Sequence, residues 1–237
     1  MKVHDEPRPL RADATRNRDA ILAAAREVFA EHGLEASLEE IAARARVGIA
    51  TLYRRFPSRQ HLVGAALVEK VAKYADAAEA ALMISDPWEA FTSFVRTMCE
   101  LQAGDRGLAD LLSMTLPADE NVERLRQVAN AHVAKLIDRA KTAGVLRADF
   151  VSEDLLILLI ANATIVHVTR AAAPGASRRL VALALDAFGR TDAPALPAPP
   201  SSAEMANAMC QLAAERGCDT AELRRIRQEA LARSAND

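Results

Sequence analysis

Cysteine is scarce in this chain, and its spacing supports no paired role. Cys99, Cys210 and Cys218 form no CxxC pair and no Cys/His cluster, so neither a zinc site nor a disulfide framework is indicated. They read as small buried hydrophobes. The five histidines, His4, His32, His61, His132 and His167, are scattered without metal-ligand spacing. A phosphate-binding glycine loop and a nucleophile–base–acid set are also missing. No catalytic residue, metal or cofactor is therefore expected, and an enzyme is disfavoured. Aromatics make up only 4% of the residues and long alternating β-branched runs are absent. An all-α fold is the natural expectation. The most apolar run, 155–168, is interrupted by Asn162 and His167 and reads as too short to span a bilayer. With a polar, proline-bearing N-terminus in place of a signal-peptide core, the chain is expected to be cytoplasmic, with no membrane partner.

What the sequence does contain is a local excess of positive charge. No acidic residue lies between Glu40 and Glu69, yet Arg44, Arg46, Arg54, Arg55 and Arg59 all do, in a chain of formal net charge −2. At its centre, 47–56 begins as a turn and continues as a short helix. Its apolar positions, Val47, Leu52 and Phe56, fall inward at helical spacing. Thr51, Tyr53, Arg54 and Arg55 are left to face outward. A run of arginines is often no more than a solvated face. Here the arginines flank a small exposed helix with Thr51 and Tyr53 beside them, which favours a DNA surface.

Around that stretch the punctuation is regular. Residues 1–14, with Pro7 and Pro9, read as a disordered tail or a flexible arm whose Arg8 and Arg11 reach DNA. A helix is expected over 15–32, stopped by Gly33 in a left-handed conformation. Ser37 and Glu40 form a capping box for a second helix over 38–45. A turn at Arg46-Val47-Gly48 leads into the third helix, which Pro57-Ser58 ends. Helix, tight turn, helix, with a supporting helix in front, is the helix-turn-helix arrangement. Further helices are expected from Ser58 to about Met83, from Asp86-Pro87 to Gly104, over 108–115, from about Asp119 to Ala143, and from Ser152 and Ser177. Residues 191–200 hold four prolines and read as a linker. Ser201 with Glu204 and Asp219 with Glu222 announce two more capped helices, with Met205, Met209 and Leu212 striping the first.

By Arg59 the pattern resembles the tetracycline-repressor (TetR) family of bacterial regulators. The residues that carry it are Ser37, Leu38, Ile41, Ala42, Ala45 and Val47, then Thr51-Leu52-Tyr53, Phe56, Ser58, Arg59 and Leu62. The resemblance covers about 15–62 and implies a three-helix DNA-binding head on a larger helical ligand-binding and dimerisation domain. It implies phosphate contacts from Thr51, Tyr53 and Arg59, the last standing where the family has a lysine, and the N-terminal end of the second helix at Ser37 points its amides at a phosphate by its dipole. It brings Ile49, Ala50 and Arg54 to the bases, with Arg55 at the groove or backbone. Arg46 stands at a turn position commonly held by glycine, at a cost of roughly 1–2 kcal/mol for left-handed backbone, and is expected to touch phosphate. Gly48 stands where a capping serine is usual.

The same resemblance implies a homodimer through helices at about 153–173 and 177–189, and an unknown small-molecule effector. Trp88, Phe91, Phe94, Met98, His132, Asn162, Thr164 and His167 are the candidate pocket residues, each with a plain core or structural reading beside it. The resulting organisation is an arm (1–14), a helix-turn-helix domain (15–62), a ligand-binding and dimerisation domain (63–190), and a linker with a helical extension (191–237). Acidic residues outnumber basic ones in the extension, which argues against a second DNA grip. A helical hairpin packing on the dimer or on a partner is expected there. The implied function is a repressor released from a near-palindromic double-stranded DNA operator by its effector. The alternative is a helical adaptor that has lost DNA binding.

Overall fold

The computed structural model describes residues 8–113, 120–214 and 228, and the described residues hold helices and no strands. The first three helices are α1 (Arg8–His32), α2 (Leu38–Arg44) and α3 (Ile49–Arg55). After them come α4 (Arg59–Leu82), α5 (Pro87–Gly104), α6 (Arg106–Ser113) and α7 (Glu120–Thr142). The chain continues through α8 (Ser152–Thr169), α9 (Ala176–Phe188) and α10 (Ser202–Ala213). The all-α expectation is met. The second capped helix expected near Asp219 lies outside the described residues.

Local chemistry explains most of the boundaries. Gly33 adopts φ 81° and its amide bonds back to Phe29 at 3.0 Å, closing α1. Ser37 Oγ accepts the Glu40 amide at 3.2 Å, Ser58 Oγ the His61 amide at 3.4 Å, and Asp86 Oδ1 the Glu89 amide at 2.7 Å. These bonds satisfy donors that a helix start leaves unpaired. At α10 the box is complete: Ser201 Oγ accepts the Glu204 amide, and the Glu204 carboxylate accepts the Ser201 amide at 2.7 Å. Several starts differ from expectation, α6 beginning at Arg106 rather than 108 and α9 at Ala176 rather than Ser177. The first helix begins at Arg8 rather than Thr15, so half of the expected arm is helical, Pro9 being tolerated in a first turn. Ser152 is the first residue of α8 and not its cap; Asp154 Oδ2 instead accepts the Val151 amide at 2.9 Å.

The buried side chains form two clusters. One joins Ile21, Val28 and Phe29 of α1, Leu38 and Ile41 of α2, Leu52 and Phe56 of the α3 region, and Leu62, Val63 and Leu67 of α4. The other joins Ala78 and Ala81 of α4 to α5, α7, α8 and α9 around Phe91, Phe94, Met98 and Phe150. Helix α4 thus belongs to both, and the expected boundary at 62/63 falls inside it. Arg139 of α7 ties the far end of α4 down, its Nη1 donating to Leu82 O at 2.9 Å and its Nη2 to Ile84 O at 2.5 Å. Those carbonyls would otherwise be orphaned at a helix C-terminus.

Helix α8 buries Leu155, Leu158, Leu159, Asn162 and Val166 on one face and leaves Ile157 and Val168 exposed on the other. The whole helix Ser152–Thr169, longer than the 155–168 run, is by length and composition alone apolar enough to cross a membrane. Its buried face is nonetheless packed against α5 and α9, with Leu158 and Val181 in one cluster.

The linker and α10 lie on their own chain. Arg147 donates to Pro194 O at 2.9 Å, and Asp149 Oδ2 accepts the Leu196 amide at 2.9 Å. The Arg147 guanidinium, and after it the Leu196 amide, hold the Asp149 carboxyl well below the usual carboxylate range. Cys210 and Ala213 are fully buried in the head's cluster. That inner face of α10 is covered by its own chain.

Candidate nucleic-acid interface

A helix of seven residues can turn only one narrow face inward, and in α3 that face is Leu52, with Phe56 just beyond the end. Ile49, Ala50, Tyr53 and Arg54 are consequently exposed, with Arg46 and Gly48 beside them. The turn before α3 is tight: Arg46 and Val47 donate their amides to Ala43 O and Ala42 O, each at 3.0 Å. It is reached through Arg46 at φ 56°, the only left-handed residue other than glycine among the described residues. The expectation of a strained turn at Arg46 is met. Gly48 caps α3 by backbone alone, with extended φ and ψ and no side-chain bond. Ser37 is exposed at the start of α2.

The arginines separate into two groups. Arg44 is neutralised on the flank, with both Glu31 oxygens at 2.9 Å and Glu40 at 3.5 Å. Arg59 Nη1 donates to Leu34 O at 2.8 Å and Ala36 O at 2.7 Å, clamping the loop between α1 and α2. That job, invisible in the sequence, competes with the phosphate contact expected of it. Arg54 reaches Thr51 Oγ1 at 3.4 Å. Arg55 Nε is buried without a hydrogen-bond partner among the described residues, a donor the fold itself leaves unused. Of the five arginines, Arg46, Arg54 and Arg55 are thus the ones not engaged by a carboxylate or a backbone carbonyl among the described residues. We expect Arg46→Gly to raise thermal stability by about 1 kcal/mol, by relieving left-handed strain, while weakening DNA binding. A melting curve and a binding titration on the same preparation check both halves.

The eight candidate pocket residues do not line one space, although Trp88 packs on the cluster that holds Phe91, Phe94 and Met98. Phe91, Phe94 and Met98 are fully buried core. Trp88 lines an open groove of about 1070 Å³ between α5 and α9, beside Arg96, Arg178 and Asp186. Thr164 and His167 line a smaller space of about 300 Å³ at the junction of head and body. Thr164 Oγ1 is spent on Ile160 O at 3.1 Å, and His167 Nδ1 accepts from Arg106 at 3.1 Å. His132 lines none of these spaces. Asn162 sits in a closed polar knot: its Nδ2 donates to Gln102 Oε1 at 2.8 Å and Cys99 O at 3.3 Å, while its Oδ1 accepts from Ser177 at 2.7 Å. Its partners come from its own chain, on α5 and α9. Burial pushes the Cys99 thiol up to about 12, so it stays neutral. Among the described residues no cluster suited to a metal ion occurs.

A third space, of about 760 Å³, was not foreseen. It lies among α4, α7, α8 and α10, walled by Val71, Val133, Ile137, Leu156, Met205 and Met209. Only the methionine stripe on α10 hinted at it, and that stripe gave no indication of where α10 packs.

A helix-turn-helix head with an exposed basic helix, carried on a helical body, defines a DNA-binding regulator. Comparison with known proteins gives it a family. Residues 21–66 match the model described as bacterial regulatory proteins, tetR family, and 86–188 match that of the SbtR-like transcriptional regulator C-terminal domain. The chain is 36% identical to the TetR transcriptional regulator SCO0520 of Streptomyces coelicolor over 73% of this chain and 98% of that one, TM-score 0.46. It is 35% identical to a TetR regulatory protein of Mycobacterium vanbaalenii over 76% and 99%, TM-score 0.43. RolR, solved with resorcinol, is similar at 16% identity over 84% and 95%, TM-score 0.50. A comparison with curated proteins finds no match. The chain belongs to the TetR family of transcription regulators; sequence identity, rather than superposition, carries that assignment.

Proposed function

We propose that the protein is a homodimeric repressor that leaves a near-palindromic operator when a small molecule occupies its body. The observation that carries the DNA half is the outward face of α3: Ile49, Ala50, Tyr53 and Arg54 are exposed while Leu52 is wholly buried. A helix so presented fits a major groove. Thr51, Tyr53 and the Ser37 end of α2 meet phosphates, and Ile49, Ala50 and Arg54 meet base edges. Acting on chromosomal DNA places the protein in the cytoplasm.

The effector half rests on continuity between cavity and head. Leu108 of α6 lines the cavity among α4, α7, α8 and α10. Its neighbour Gly107 abuts the backbone of Phe29 in α1, and Asp110 accepts the Leu34 amide at 2.8 Å. Lys70 of α4 pairs with Asp105 at 2.8 Å, just before α6. A molecule that moves α6 must therefore move α1 or break these contacts. RolR, a protein of this fold, was solved with resorcinol, which supports a small-molecule role for such a body.

The dimer half rests on Ile157 and Val168 of α8 and Leu183 of α9, large apolar side chains left exposed. A two-fold pairing through these helices would set half-sites about one helical turn apart. Light scattering should then give twice the 25.5 kDa chain mass; a monomer at micromolar concentration would remove this part. The double change Tyr53→Phe, Arg54→Ala should weaken operator binding roughly 10- to 100-fold and leave the melting temperature unchanged. A fall in melting temperature would mean these side chains are structural instead.

A further inference from the structure

The cavity among α4, α7, α8 and α10 is elongated and uneven in charge. Its lining on α7 runs from Arg126 to Lys141, roughly 22 Å at the helical rise per residue. Between these ends the walls are apolar: Val133 and Ile137 of α7, Leu155 and Leu159 of α8, and Met205 and Met209 of α10. At one end stand Tyr74, Arg126 and Asn130. Arg126 is largely enclosed, its side chain 23% exposed, and its ion pair with Glu123 is a long one at 3.9 Å. Desolvation pulls its guanidinium below the usual arginine range, against the opposing pull of Glu123 and then Tyr74. It still carries its charge near neutral pH, because arginine is effectively always protonated. Tyr74 donates to Asn130 Oδ1 at 3.3 Å, and burial pushes its phenol up to about 12, so it remains neutral.

The other end has the opposite character. Asp138 and Glu153 stand there with Lys141. Lys141 is occupied by Phe150 O at 3.0 Å, and Glu153 accepts from Ser202 of α10. An anion would be repelled from that end and drawn to Arg126, whose planar fork matches a carboxylate. Among the described residues Arg126 has only the long ion pair with Glu123, and a poorly paired charge beside an apolar channel is costly unless a ligand pairs it.

We propose that this cavity binds an elongated apolar molecule with an anionic head, its carboxylate on Arg126 and its tail along the methionine wall of α10. The inference rests on the effector-controlled reading above and adds the ligand's chemistry and the role of the C-terminal extension as one wall. An occupant touches Met205 and Met209 on the same helix whose Cys210 and Ala213 are buried in the head's core. Filling the cavity thereby presses on an element rooted in the DNA-binding head.

Titration calorimetry with three ten-carbon probes, decanoate, decanol and decyltrimethylammonium, tests this below their aggregation concentrations. Decanoate should bind at least about tenfold more tightly than decanol, and the cation most weakly. Arg126→Gln should abolish the preference for decanoate, and Arg126→Lys should keep most of it. Met205→Ala with Met209→Ala should weaken decanoate and decanol alike, by several-fold. Equal binding of the three probes, or an undiminished preference in Arg126→Gln, overturns the proposal. So does the absence of binding by any probe. Should Arg126→Gln fail to fold, the ordering of the probes on the unmodified protein decides alone. Operator binding without probe, measured on the same preparation, separates the two readings: its loss would count against the regulator reading, and its persistence without probe binding against this inference only.

Discussion

Replacing Asn162 with alanine should destabilise the protein by about 3–4 kcal/mol. The side chain is fully buried and links three helices: α5 through Gln102 and the Cys99 carbonyl, α9 through Ser177, and its own α8. Truncation leaves the Gln102 carbonyl oxygen and the Ser177 hydroxyl without their partner, at roughly 1–3 kcal/mol for each buried group, and adds a small cavity. For a chain of this size that corresponds to a fall in melting temperature of about 10 °C. Asn162→Leu, which restores volume without the hydrogen bonds, should not recover it. A loss below about 1 kcal/mol in both variants would mean that the knot is not what fastens α8.

Gly107→Val should be comparably damaging, for a different reason. A β-carbon at this position would lie 2.9 Å from the Phe29 carbonyl oxygen and 3.2 Å from its carbon, both backbone, and 2.9 Å from Lys70 Nζ. Lysine can swing away, but the α1 backbone cannot, so α6 must retreat from the head. Overpacking of this kind costs about 1–3 kcal/mol, and loss of the Lys70–Asp105 pair adds to it. Operator affinity should fall with stability, because α6 joins the cavity to α1. Gly64→Ala provides the contrast. Nothing lies within 4 Å of a β-carbon there, and alanine inside α4 should be neutral or stabilising by up to about 1 kcal/mol. If Gly107→Val behaves like Gly64→Ala, the close approach of α6 to α1 is not needed for either property.

These two sites show where the sequence is legible and where it is not. The head is written locally. Gly33 ends α1, Ser37 starts α2, Arg46 takes the strained turn, and Leu52 and Phe56 point inward, each dictated by residues within a few positions of one another. The start of α5 at Asp86-Pro87 and that of α10 at Ser201 and Glu204 are local in the same way. The body is written across distance. Asn162 drew attention as a polar residue in an apolar helix, but its partners lie 60 and 15 positions away. Arg59 stands at a phosphate-binding position by resemblance alone; that its Nη1 also holds the Leu34 and Ala36 carbonyls, in a loop more than twenty positions upstream, had no local signal. Phe91, Phe94 and Met98 have the spacing of a pocket and the burial of a core, and periodicity does not separate the two. The cavity beside Arg126 depends on where α10 packs, and no residue of the proline-bearing linker encodes that. Its anchors, Arg147 and Asp149, lie some 47 positions upstream of the residues they hold.

In the proposed regulator, α3 reads a specific DNA sequence. Fluorescence anisotropy of the dimer against labelled duplexes from the region upstream of its own gene tests it most directly. The account predicts one near-palindromic duplex bound at least a thousandfold more tightly than a scrambled duplex at moderate salt, with the preference reduced in Tyr53→Phe, Arg54→Ala. Equal, purely salt-dependent binding to every duplex, or no binding even at low salt, would contradict it.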